Sequence, residues 1–276
     1  MDAPVEKRQF AWQPLTARGV TAFAGASLGR LLLVQFLVAL IAAAAAVWLL
    51  LSAFFPTITK AMAQLPHEGQ IRAGSLDWRA PEPVRLAEGR FLALAVDLKH
   101  AGSTRSPAHF QVEFGQTDFK IFSLFGFVQS PYPRGWRIAF NRAELEPWWG
   151  AWQPALLALV AVLVVAGSLV CWAGLATVYC LPAWLGGFFA NRNLGLGGSW
   201  RLAGAAQLPG TLCLAAAMIG YGLGWLDLLQ FTLAGALDLV LGWVYLFAGL
   251  RALPRHPDAA TVKGNPFAPQ STDGKE

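Results

Sequence analysis

Charge is what this 276-residue sequence has least of. Asp, Glu, Lys and Arg make up 13% of it, against about 25% in an ordinary soluble domain, while 55% is apolar. That shortage argues against a typical soluble enzyme. Cysteine is scarce too. Cys171, Cys180 and Cys213 all lie in or beside apolar stretches, and none has a paired metal-site spacing, so they read as small apolar fillers and no metal is expected. Residues 56–150 contain no GxSxG, HExxH, SxxK or DxD arrangement. We therefore expect no catalytic residues, no cofactor and no enzymatic activity.

What the chain has is long uncharged runs. No charge occurs between Arg30 and Lys60 or between Glu146 and Arg192, and from Leu202 to Leu250 the only charges are Asp227 and Asp238. A membrane-crossing helix needs about 20 mostly apolar residues. Four such helices are predicted, over 31–55, 153–176, 201–223 and 225–250, with Gly220, Gly222 and Gly224 marking the last break. Residues 177–200 are predicted to hold an interfacial helix (Leu181 to Ala190, with Trp184, Phe188 and Phe189) and a cytoplasmic loop, because Pro182 and Gly186-Gly187 should stop the preceding helix. A fifth crossing within this run is the competing reading. The run at 31–55 is too long, and starts too far into the sequence, for a cleaved signal peptide.

Basic residues set the orientation. Segments 1–30, 191–201 and 251–276 hold ten Lys and Arg against five Asp and Glu. Cytoplasmic flanks are the ones enriched in Lys and Arg, so all three should lie on one side of a bacterial inner membrane with both termini cytoplasmic. The pI near 9.4 is then a topology signal, and no nucleic-acid partner is expected. The tail, 251–276, reads as disordered from its Pro, Lys, Asp and Ser content.

Residues 56–150 differ in kind. Phe110, Val112 and Phe114 alternate with Gln111 and Glu113; Leu92, Leu94, Val96 and Leu98 share a face; Trp136, Ile138 and Phe140 repeat the pattern. Period two marks half-buried strands. We expect six or seven short strands forming a small antiparallel sheet or sandwich, with a tight turn at Gly115-Gln116 and a capped helix start at Asn141 and Glu144. The fold class is thus an α+β integral membrane protein, four transmembrane helices with an extracytoplasmic β domain inserted between the first two. The polar candidates in that domain are His67, His100, His109, Asp77, Glu113 and above all Asp97, which interrupts the face of Phe91, Ala93 and Ala95. The histidines read as solvated and Asp97 as a polar outer edge.

Inside the membrane the notable group is Asp238. Asp227, Gln230, Ala234, Asp238, Leu241 and Tyr245 follow three- and four-residue spacings and form one helix stripe, expected to face the bundle interior opposite Gln207 and Thr211. Pro209 there permits a kink. A proton or cation path is one reading; a neutral Asp238 bonding across helices is the other.

Leu65-Pro66 leading to Gly69-Gln70-Ile71 and Gly74-Ser75-Leu76, then Ala95-Val96-Asp97, with Trp200 to Ala203, Leu208-Pro209 and Tyr245 to Pro254, resembles an uncharacterised bacterial membrane family found beside maltodextrin-utilisation genes, and more distantly the Yip-type bundles. Leu98 stands where that family tends to have Thr. The resemblance implies the same topology and no known catalysis. The function expected is a non-enzymatic sensor, binding module or scaffold, with the bilayer and a membrane-protein partner or a second copy as partners; a small transporter centred on Asp238 is the alternative.

Overall fold

The structure, a computed structural model, describes residues 12–255; the predicted disordered tail lies mostly outside them. Among the described residues the fold is mixed, with four helices long and apolar enough to cross a membrane, Leu28–Ala63, Arg142–Phe189, Leu196–Gly222 and Leu228–Ala252, and two sheets. The chain divides into two compact units, one of Met1–Ala39, Ala166–Cys213 and Ala236–Glu276, the other of Leu40–Val165 and Leu214–Gly235.

Helix ends depart from expectation for local reasons. After α1 (Ala17–Ala22), helix α2 (Leu28–Leu49) passes through a π turn at Leu50–Phe54 into α3 (Phe55–Ala63), so the run does not stop at 55. Pro56 falls in the first turn of α3, where its missing N–H is tolerated, and the π turn absorbs the offset. Helix α4 (Arg142–Phe189) starts on the predicted cap: Glu144 N donates to Asn141 Oδ1 at 2.9 Å. It then runs unbroken through Pro182 and Gly186-Gly187, replacing the separate 153–176 and interfacial segments. It ends where Asn191 takes a left-handed φ of 55° and Arg192 N reaches back to Gly187 O at 2.8 Å. The predicted 201–223 helix is two, α5 (Leu196–Ala206) and α6 (Leu208–Gly222), because Pro209 has no N–H for the carbonyl four residues back. Helix α7 spans Leu228–Ala252.

In the first unit, Gly, Ala and Ser on α5 let neighbours approach closely: Ser199, Leu202, Ala203, Ala205 and Ala206 are fully buried. Arg201 Nη2 donates to Ala24 O at 2.7 Å, Thr21 Oγ1 to Gly249 O at 3.0 Å and Gln35 Nε2 to Gly204 O at 3.3 Å.

The second unit holds eight strands, more than expected. β1 (Gln70–Arg72), β2 (Ser75–Asp77) and β8 (Ile138–Ala139) form one sheet in the order β2-β1-β8. Ala73 and Gly74 between β1 and β2 both have positive φ, as a two-residue type I′ hairpin requires. β3 (Val84–Glu88), β4 (Leu92–Val96), β5 (Phe110–Phe114), β6 (Asp118–Ser123) and β7 (Gly126–Pro131) form the other in sequential order. It is not wholly antiparallel, since β4 and β5 pair in parallel. Parallel neighbours need a crossover of a dozen or more residues, and 97–109 supplies it. Nor does the turn fall at Gly115-Gln116: Gly115 N donates to Asp118 O at 2.8 Å, so Gln116 and Thr117 form its tip.

The crossover inverts the expected burial of β5. One sheet face, with Leu86 and Val96, packs on Ala61 of α3 together with Leu65, Ile71, Leu76, Tyr132 and Phe140. The opposite face lies under the crossover, so Gln111 and Glu113 are 2% and 1% exposed while Phe110, Val112 and Phe114 are only half-buried.

Candidate functional site

The polar stripe on α7 does not act as one group. Asp227 and Gln230 form a capping box for α7: Gln230 N donates to Asp227 Oδ1 at 2.7 Å, and Asp227 N to Gln230 Oε1 at 2.9 Å. Both are exposed, which corrects the bundle-facing expectation. Tyr245 donates to Leu15 O at 2.9 Å. Asp238 is half-buried with Thr211 as its polar partner, and a Cβ on Gly210 would meet its backbone oxygen at 2.6 Å. Gln207 is buried, and a Cβ on Gly242 would meet its Oε1 at 2.5 Å. Glycines thus bring α6 and α7 together around two short polar side chains.

The denser polar cluster is in the β unit, under the crossover. Asp97 is 3% exposed, not a polar outer edge. It opens the crossover, accepting from Gly102 N at 3.1 Å through Oδ2 and from His100 N at 3.0 Å through its backbone oxygen. Left-handed φ at His100 and Gly102 (51° and 82°) turns the chain back onto the sheet. His100 is not solvated either: its ring nitrogens face Glu113 Oε1 at 2.5 Å and Asp118 Oδ1 at 2.7 Å. Gln111 Nε2 donates to Thr104 O at 3.1 Å, and its Oε1 accepts from Ser106 N at 2.9 Å. Gln129 donates to the other oxygen of Asp118. Burial alone would push the Asp118 carboxyl up, but the His100 and Gln129 bonds, with the His100 and Lys120 charges, leave it below its ordinary value.

With both nitrogens of His100 engaged, no lone pair is directed at a substrate. The cluster fastens the crossover to the sheet. His67 and Asp77 line a shallow surface depression where Arg79 meets Glu68 at 3.1 Å.

The other sheet face carries a cavity of about 320 Å³, lined wholly by Ile58, Ala61, Met62, Leu65, Leu86, Leu92, Leu94, Val112, Phe114, Phe140 and Leu145. Helix α3 covers the face incompletely, which is why Val112 and Phe114 stay half-buried. At the end of the sheet holding Leu92, the chain joins helix ends of its own unit. Arg90 donates to Gly224 O at 2.8 Å and Leu226 O at 3.4 Å, both carbonyls of the loop between α6 and α7. His109 Nδ1 lies 2.7 Å from the Tyr221 hydroxyl, and Phe91 sits edge-on to Tyr221 with centroids 5.0 Å apart. Burial, and then the Arg90 charge, hold the His109 imidazole below its ordinary pKa despite Asp227.

No protein-family model, curated protein or solved structure matches the chain. The site therefore rests on its own geometry. Sequence reasoning named Asp97, His100 and Glu113 but not Asp118, and did not group them. The signal is the polar half of the β5 alternation, Gln111 and Glu113, because a period of two separates the faces without saying which one is covered.

Proposed function

We propose that this is a multi-pass protein of a bacterial inner membrane, with both termini cytoplasmic, whose β domain binds a hydrophobic ligand on the outer side as a membrane-anchored sensing or binding module. One observation carries the reading: a cavity at the low end of ligand-pocket size, apolar on every side, in the unit that also contains the ends of apolar helices. An acyl chain suits such a lining, since any ligand with buried polar groups would leave them unpaired there. The order of one apolar helix, a β domain and three more apolar helices also supports kinship with the uncharacterised bacterial family named above. The alternative, transport through Asp238, draws on a single half-buried acid and a hydroxyl partner.

The test uses the full chain in vesicles doped with a diazirine-bearing fatty acid, irradiated and mapped by mass spectrometry. Label is expected on 58–65 and 92–114. Val112→Trp, which fills the space with apolar atoms, should reduce that label several-fold and leave labelling of 31–49 unchanged. Label confined to the apolar helices defeats the proposal.

A further inference from the structure

The β6–β7 hairpin is apolar at one end and polar at the other. Its turn residues Leu124 and Phe125 are both 64% exposed, and Phe127 and Val128 beside them are 61% and 68% exposed. Away from the turn, β7 continues as Gln129, Ser130 and Pro131, and β6 carries Lys120 and Asp118. Monomeric surfaces seldom leave such a cluster of large apolar side chains uncovered.

The register shows which way the apolar end points. Ser123 pairs with Phe110 on β5, and Phe110 with Leu92 on β4, so the turn lies at the sheet end where Phe91 and Phe110 approach Phe54 with ring centroids 6.2 and 6.3 Å apart. Leu124 also shares a cleft with Asp227, Leu228 and Leu229 at the start of α7. The turn is therefore level with helix ends predicted to enter the bilayer. Exposed Trp225 stands between Gly224 and Leu226, whose carbonyls accept from Arg90 beside Phe91 at this sheet end, and exposed tryptophans suit a membrane interface. Two cations stand behind the apolar tip: Arg105, 3.7 Å over the Phe122 ring, and Lys120, 5.9 Å from the Phe127 ring.

We propose that the tip of this hairpin, Leu124, Phe125 and Phe127, dips into the outer leaflet, with Arg105 and Lys120 at the level of lipid phosphates. A partner strand added to the free edge of β7 would require apolar or pairing surface along its whole length; the surface is apolar only near the turn. Immersion of an apolar tip beneath a cationic collar matches that gradient. The proposal rests on the membrane reading above.

The experiment is spin-label accessibility on the full chain in phosphatidylcholine–phosphatidylglycerol vesicles, with Cys171, Cys180 and Cys213 replaced by Ala. Nitroxides are placed singly on Phe125→Cys, on exposed Ser103→Cys as an aqueous reference, and on Val162→Cys, exposed on α4, as a lipid reference. At 125 oxygen should relax the label several-fold more effectively than the water-soluble nickel chelate, as at 162, and the reverse should hold at 103. Nickel access at 125 with lipid behaviour at 162 overturns the hairpin proposal alone. Nickel access at 162 overturns the membrane reading beneath it. A label at 125 shielded from both reagents shows a protein partner on the tip and also overturns it.

Discussion

His100 places Nδ1 2.5 Å from Oε1 of Glu113, a carboxylate that is 1% exposed. Its Nε2 meets Asp118 at 2.7 Å, so both N–H···O bonds form only in the imidazolium. Removing one partner of a buried polar pair costs more than the pair contributes. His100→Ala leaves Glu113 with two long contacts, from Thr104 and Gln111, both 3.4 Å. A loss of about 1–3 kcal/mol is expected, seen as faster amide exchange across 97–109. His100→Ala combined with Glu113→Gln should recover part of it, and additive losses would show that the two do not interact.

Two pH windows follow from opposite ends of the sheet. The His109 pKa is lowered in the folded state, so its contribution is complete above the unfolded value, about 6.5, and declines as pH falls through that value, because the unfolded chain takes up the proton first. Asp118 is likewise lowered from 3.8; its contribution is present above that value and disappears only as pH falls below it. Melting of the β domain should weaken below about pH 6.5 and again in strong acid. His109→Gln should flatten the first step and leave the second. An unchanged profile between pH 5 and 7 counts against this assignment.

Where α6 meets α7, backbone and side chain yield differently. A Cβ at Gly210 would meet the Asp238 backbone oxygen at 2.6 Å, whereas one at Gly242 would meet only the movable end of Gln207. Gly210→Ala should therefore cost more than Gly242→Ala, about 1–3 kcal/mol as overpacking, read as thermal stability in detergent. Equal effects would mean the helices can separate freely. Asp238→Asn should be nearly silent and Asp238→Leu cost about 0.6 and at most about 1.7 kcal/mol; proton uptake into vesicles abolished by Asn in a folded protein would favour the transport alternative.

Topology is open to direct measurement. A periplasm-active reporter fused after Gly102 should be active, and after Gly197 or Gly264 inactive, because basic residues concentrate in the flanks assigned to the cytoplasm. Activity at Gly197 would require the five-crossing arrangement.

By itself the sequence determined features written in neighbouring residues: four long apolar helices, the Asn141–Glu144 cap, the kink permitted at Pro209, and the shared face of Leu92, Leu94 and Val96. Each depends on propensity, capping or a missing N–H, all local. Only the tertiary structure decided what each face meets. Alternation along β5 shows that Gln111 and Glu113 differ from Phe110, Val112 and Phe114, but which side is covered depends on where the crossover passes, and nothing in the strand encodes that path. Helical spacing placed Asp227, Asp238 and Tyr245 on one stripe, yet three different neighbours take them. The β7 strand went unread because its Phe127-Val128 pair does not alternate, and Pro182 did not end α4, because continued helical bonding on either side outweighs one missing N–H.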